Sequence, residues 1–282
     1  MAPRSVLGRR RAVTARTGTR RVSQRLFLGA SAAVMGAYAA LLLAMLAAMV
    51  LYTSPAALVQ TFQSREIRHA AALSLVTSTI AAIVSLWVAV PTGYLLARFR
   101  FPGKRLLDLL FDIPILLPPL VVGIALLIMF RTIPGRWFEG SVFLVTYETP
   151  AIILAQFTVA CAFAVRTMRV TFEGIDPRME DVARTLGCSR GSAFFHVTLR
   201  EARPGVIAAG TLAWARALGE FGPVLVFAGT TRMKTEVLPT SVFLEWNLGE
   251  IEGALAVSIL LVLIAVVVLG ATRMLGLPRG GL

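Results

Sequence analysis

The amino-acid sequence predicts an all-α integral membrane protein of about six transmembrane helices, and three observations carry that prediction. Of the 282 residues, 57% are hydrophobic and 15% charged, against ~45–50% and ~25% in soluble globular proteins. Several apolar runs exceed the ~18–20 residues that a helix needs to cross a ~30 Å hydrocarbon core. No stretch alternates apolar and polar residues at period two, the pattern of a membrane barrel. A chain in lipid must close every backbone hydrogen bond internally, as a helix or a closed barrel, so helices remain.

Six apolar segments follow in order, at roughly 27–51, 69–97, 108–130, 149–168, 204–228 and 252–272. They frame a basic tail over 1–26, a six-helix domain over 27–275 and a short tail over 276–282. Counting Lys and Arg on alternate sides orients them. The leader, the second connection, the fourth connection and the C-terminus carry 21 basic residues, and the other face carries 6. Basic residues accumulate on the cytoplasmic side, so both termini are expected there, in an inner-membrane protein. The net charge of +13 is thereby read as a topology signal that also meets anionic lipid headgroups, with no nucleic-acid partner. The first apolar run is longer than a signal peptide's h-region, which argues against cleavage. Cys161 and Cys188 fall in an apolar span and a polar loop, no disulfide framework. Two histidines and no Cys/His cluster point to no metal site.

The connection between the fourth and fifth segments, about 170–203, is the most informative. Met179, Val182, Ala183 and Leu186 fall at i, i+3, i+4 and i+7, one face of a helix. Asp176 suits its N-cap, Pro177 its first position and Gly187 its end. Ser189 opens a second short helical segment with Phe194, Phe195, Val197 and Leu199. Two short amphipathic helices outside the lipid call for a partner: the subunit's own helix ends, another protein, or both.

The run Asp181-Val182-Ala183-Arg184-Thr185-Leu186-Gly187, then nine residues to Val197-Thr198-Leu199, resembles the loop signature of ABC-importer permeases. That signature reads Glu-Ala-Ala, three residues, Gly, nine residues, Ile, any residue, Leu, Pro. The match departs at Val182 and at Arg200, where the family usually has proline. The resemblance implies a MetI-like permease fold in which this loop is the coupling helix, docked in a groove of a cytoplasmic ATPase. It places Asp181, Ala183, Gly187, Phe194, Val197 and Leu199 at or beside that contact. Three further runs, Pro91 to Lys104, Pro114 to Gly123, and Ala217 to Pro223 with Ala228-Gly229, are similar to permeases for molybdate, tungstate and sulfate. The likeness covers about 70–269. It implies a second permease subunit, expected as a homodimer, two ATPase subunits using ATP and Mg, an extracytoplasmic solute-binding protein, and no cofactor on this chain. Molybdate or tungstate is the favoured cargo, with sulfate or thiosulfate next.

Inside the spans, Pro118 and Pro119 remove backbone donors and Gly123 lies one turn on. Such an interruption either lines a protein-buried cavity or makes a packing kink. Arg216 and Glu220 are one turn apart, deep in the fifth segment. A charge there costs at least ~2.5–3.5 kcal/mol on insertion scales and needs a partner. The pair could attract an anion, lock a conformation or fix packing; the conformational or structural roles are favoured, because a strong anion site would oppose release. No Gly-Lys-Ser/Thr phosphate loop and no nucleophile paired with a base occur, so no catalytic residues are assigned and the chain is read as a transport subunit, not an enzyme. Asp108, Asp112, Glu173 and Glu180 are expected to be solvated or at the lipid interface. Two other classes remain open on sequence: a secondary transporter driven by an ion gradient, and a membrane scaffold working through its basic tail.

Overall fold

Helices form wherever the sequence sets an apolar run between capping residues, and they carry all the regular structure among residues 7–276, which the computed structural model describes. The chain divides after Thr53 into two compact units. The first is one long helix, α1 (Leu7–Tyr52), whose apolar part, Leu26–Tyr52, is long enough to cross a membrane. The second unit begins with α2 (Pro55–Gln63) and α3 (Arg65–Arg98). The Ser54 and Ser64 hydroxyls cap these by accepting from the backbone N–H of Ala57 and Ile67. There follow α4 (Lys104–Leu116), α5 (Pro119–Arg131), α6 (Ile133–Ser141) and α7 (Thr149–Glu173). The connection after α7 holds α8 (Pro177–Thr185), α9 (Arg190–Ala193), a π-turn (Phe194–Thr198) and α10 (Leu199–Glu201). The chain ends through α11 (Arg203–Leu218), α12 (Gly222–Phe227), α13 (Leu238–Asn247) and α14 (Ile251–Gly276).

Among the described residues four helices are long and apolar enough to span a membrane: the apolar part of α1, then α3, α7, and α14 over Ile251–Thr272. The expected third span is not straight. α4 and α5 meet at 113°, because Pro118 and Pro119 have no N–H to continue the ladder. The expected fifth span, 204–228, also breaks. α11 stops at Leu218 and α12 restarts at Gly222, since Pro223 cannot donate to the carbonyl one turn back. The all-helical membrane architecture is as expected, and so is the interruption at Pro118-Pro119; among the described residues four spans, or five with the bent α4–α5 pair counted as one, stand against the six or so expected.

The core is built on α3, α7 and α11. Ala81, Ala89, Ala160, Ala164, Ala209 and Ala213 are fully or almost fully buried there. Small side chains let membrane helices approach closely, where van der Waals packing replaces the missing hydrophobic drive. A second apolar cluster joins α5, α7 and α12 through Val122, Phe130, Val159 and Phe227. Residues 1–6 and 277–282, the outer parts of the expected tails, lie outside the described residues.

Candidate coupling loop and pathway elements

α8 is fixed at both ends by its own sequence. The Asp176 carboxylate accepts from the Arg178 N–H at 2.9 Å, and Pro177 sits where no intrahelical donor is needed. At the other end Gly187 adopts φ +93°. Its N–H donates to the Arg184 carbonyl and that of Cys188 to Ala183, both at 3.1 Å. This pair of bonds is the Schellman arrangement, which requires a left-handed residue. Ser189 then caps α9 by accepting from the Ser192 N–H. The following turn closes as a π-turn, and Arg200 is simply helical. The chain turns at Ala202 (ψ −5°), just before Pro204, so the loop redirects itself without the proline usual at position 200.

The predicted apolar face of α8 divides in the folded chain. Ala183 is buried, but Met179, Val182 and Leu186 are 42%, 58% and 81% exposed. The inward face is shared instead with Glu180, only 9% exposed. The expectation of a solvated Glu180 is therefore wrong: its Oε1 accepts from the Tyr94 hydroxyl at 2.6 Å and its Oε2 from the Thr198 hydroxyl at 3.2 Å. Burial of a carboxylate is tolerated when donors replace its water. Asp108 and Glu173 are not simply solvated either, since both hold Arg169, Glu173 at 2.8 Å. Asp112 keeps a long 4.0 Å approach to Arg166.

Of the residues expected at the coupling contact, Asp181 (69% exposed side chain) and Gly187 face outward. Ala183 and Phe194 turn inward, Phe194 packing its ring 4.6 Å from that of Tyr94. Val197 and Leu199 are half-buried. Tyr94, Glu180 and Thr198 were missed as a group. Only the adjacency of Glu180 to Asp181 hinted at them, because a contact across 86 residues leaves no local period.

Pro118 is the N-cap of α5 and Pro119 its first residue. A Cβ on Gly123 would lie 2.8 Å from the Pro223 Cα, so this glycine seats α5 directly against α12. Arg216 and Glu220 meet as expected, Nη1 to Oε2 at 2.9 Å, with Glu220 1% exposed. The contact is off the line of a hydrogen bond, leaving Oε2 without a donor among the described residues. The Arg216 guanidinium also lies 5.8 Å from the centre of the Phe163 ring. Counting from Arg203, it sits about 20 Å along α11.

The opposite end of the bundle is ionic. Arg232 pairs with Glu66 and, at 2.8 Å, with Glu245, and Lys234 pairs with Glu148 at 2.5 Å. Nearby Glu236 is fully buried, and neither carboxylate oxygen has a hydrogen-bond partner among the described residues. Burial pushes its carboxyl above the ordinary 4.5, with the neighbouring Ser241 hydroxyl and then Arg232 pulling the other way. Cys161 and Cys188 are free thiols. Among the described residues no group of three or more His, Cys, Asp or Glu side chains could hold a metal.

The fold is thus a bundle of partly broken membrane helices around an alanine-lined core, with a capped helix presented on the connection after α7. Residues 89–276 match the family described as binding-protein-dependent transport system inner membrane component. The chain belongs to that family: it is a multi-pass inner-membrane permease subunit of an ABC importer, with ATP hydrolysis left to a separate ATPase. It is 36% identical over 178 residues to the molybdenum transport system permease protein ModB of Escherichia coli (strain K12), covering 62% of this chain and 78% of that one. It is 35% identical over 173 residues to the sulfate transport system permease protein CysT of the same organism, covering 61% and 62%. Its fold is similar to a chain of the MetNI methionine ABC transporter (TM-score 0.60, 19% identity), covering 72% of this chain and 91% of that one. Membership of this family sets aside the gradient-driven and scaffold readings.

Proposed function

We propose that this subunit forms half of the pathway for a tetrahedral oxyanion and converts closure of the partner ATPase into movement of its helices through α8. One observation carries the coupling role: Met179, Val182 and Leu186 stand exposed on a helix capped at both ends, an apolar surface outside the core that needs a partner. In this reading Asp181 and Gly187 border the ATPase contact, and Ala183, Phe194, Val197 and Leu199 hold the helix from behind. The working unit is a homodimer of permeases with two ATPases and an extracytoplasmic binding protein. Both termini are cytoplasmic, with residues 1–26 as a basic anchor, 27–275 as the permease domain and 276–282 as a tail.

Molybdate or tungstate is the cargo we favour, supported by the likeness to ModB. Sulfate or thiosulfate is the second reading, supported by the near-equal likeness to CysT. Arg216 and Glu220 act as a conformational lock beside the break at Gly219: an ion pair whose buried carboxylate oxygen has no hydrogen-bond donor among the described residues is easily exchanged between two helix arrangements. Pro118, Pro119 and Gly123 set the α4–α5 bend and its seat on α12. The test is uptake from trace oxyanion, with and without the gene, by elemental mass spectrometry. Loss of molybdenum or tungsten alone supports the favoured cargo, loss of sulfur promotes the alternative, and no change in any of the three removes the oxyanion assignment. Replacing Met179, Val182 and Leu186 together by serine should cut co-purification of the ATPase at least tenfold while the subunit stays in the membrane.

A further inference from the structure

α8 has nine residues, and its hold on the rest of the chain is narrow. Only two of its side chains are buried, Glu180 and Ala183, and an alanine offers a single methyl to pack. The directional attachment is the Glu180 carboxylate. One oxygen takes the Tyr94 hydroxyl of α3, and the other takes the Thr198 hydroxyl of the π-turn. The Tyr94 bond, at 2.6 Å, has the length of a strong bond to a carboxylate, and the Thr198 bond, at 3.2 Å, is the longer and weaker of the two.

The Tyr94 hydroxyl is itself held in place. Its ring lies edge-on to Phe99 at 5.9 Å and to Phe172 at 5.6 Å, and tilted against Phe194 at 4.6 Å. Arg190, from the start of α9, covers the far ring, its guanidinium 5.1 Å from the centre of Phe99. The C-terminal turn of α3, the end of α7, and the start of the loop's second half therefore meet around one phenol. The π-turn contributes to this geometry: its wider winding brings Phe194 against the Tyr94 ring and the four-residue-distant Thr198 against Glu180, both from the same element.

We propose that Glu180 is a positioning residue that makes α8 move as one body with α3, so that a push on the exposed face of α8 reaches the membrane helices through Tyr94. This rests on the permease reading above. Asp181, the next residue, is exposed, and its carboxylate lies 3.8 Å from the Arg184 guanidinium. The two neighbouring acids thus have separate tasks: Asp181 belongs to the outer face and Glu180 to the link behind it.

Two conservative variants test the link. Tyr94→Phe removes one hydroxyl and leaves the ring among its aromatic neighbours; Glu180→Gln keeps the size and removes the charge. In the full-length chain reconstituted in liposomes, backbone hydrogen exchange over 177–185 should rise at least tenfold in either variant, with 150–165 unchanged. With the ATPase that co-purifies with this chain, the molybdate, tungstate or sulfate moved per ATP hydrolysed should fall at least fivefold while the ATPase remains bound. The double variant should be no worse than the more affected single one, because Tyr94→Phe removes the bond that Glu180→Gln weakens. Unchanged exchange overturns the tether. Raised exchange with an unchanged ratio of oxyanion to ATP overturns its part in transmission. A wild-type chain that binds no ATPase overturns the permease coupling on which the proposal depends, and the exchange measurement still decides whether the tether exists.

Discussion

The two ends of the helical bundle each bury a glutamate, and they treat it in opposite ways. At the loop end Glu180 receives two hydroxyl donors. At the other end Glu236 has no hydrogen bond of good geometry among the described residues, although the Ser241 hydroxyl and Arg232 stand near enough to favour its charged form. A buried charge is costly unless hydrogen bonds replace its water. The first carboxylate is thus a fixture that ties helices together, and the second is a standing cost. The loop end is tied through buried hydroxyls, and the other end through partly exposed ion pairs of Arg232 with Glu66 and Glu245.

That contrast can be broken most severely at Glu180. Glu180→Ala strips the partners from two buried hydroxyls, and hydrogen bonds to charged groups contribute ~1.5–3 kcal/mol each. Stability to chemical denaturation in micelles should fall by about 3 kcal/mol. Gly187→Val comes next. Nothing lies within 4 Å of a Cβ at Gly187, so the cost is confined to forcing a β-branched residue to φ +93°, about 1–2 kcal/mol. It should appear as fraying of α8 by hydrogen exchange and weaker coupling, with the subunit still inserted.

Glu236→Gln should work in the opposite direction, stabilising the protein by about 1 kcal/mol at neutral pH, because a carboxyl that burial holds above its ordinary range costs stability there. The pH dependence sharpens the test. Below the ordinary 4.5 the group is neutral in both folded and unfolded chains. As pH rises from there through the raised folded value, the unfolded chain gives up its proton first and stability is lost. Thermal midpoints of wild type and variant should therefore converge near pH 4 and separate toward pH 7. Convergence at neutral pH would mean that Glu236 is not paying for its burial. Asp181→Asn marks the small end of the series, within about 0.5 kcal/mol, because an exposed carboxylate near one arginine contributes little.

Much of this could be read from the sequence because it rests on local chemistry. The apolar runs, the break at Pro118-Pro119, the Asp176 and Gly187 caps of α8 and the i,i+4 pairing of Arg216 with Glu220 all depend on residues within about one helical turn of one another. The direction of α8 did not follow from the same pattern. Its period placed Met179, Val182, Ala183 and Leu186 on one face, yet only Ala183 is covered, since period reveals which residues share a side and not which side the bundle takes. The break of the fifth span was equally hidden. Gly219, Gly222 and Pro223 were visible, but hydrophobicity continues straight across them.

By itself, the sequence determined that this is a helical membrane protein with a capped helix pair between its fourth and fifth apolar segments, because lipid demands closed backbone hydrogen bonding and the caps are built from neighbours. Only the tertiary structure decided that Glu180 is inside and Asp181 outside, and that Tyr94 of α3 holds the former. Hydrogen bonds between residues 86 positions apart depend on where α3, α7 and the loop converge, and that convergence is set by the packing of small side chains along whole helices.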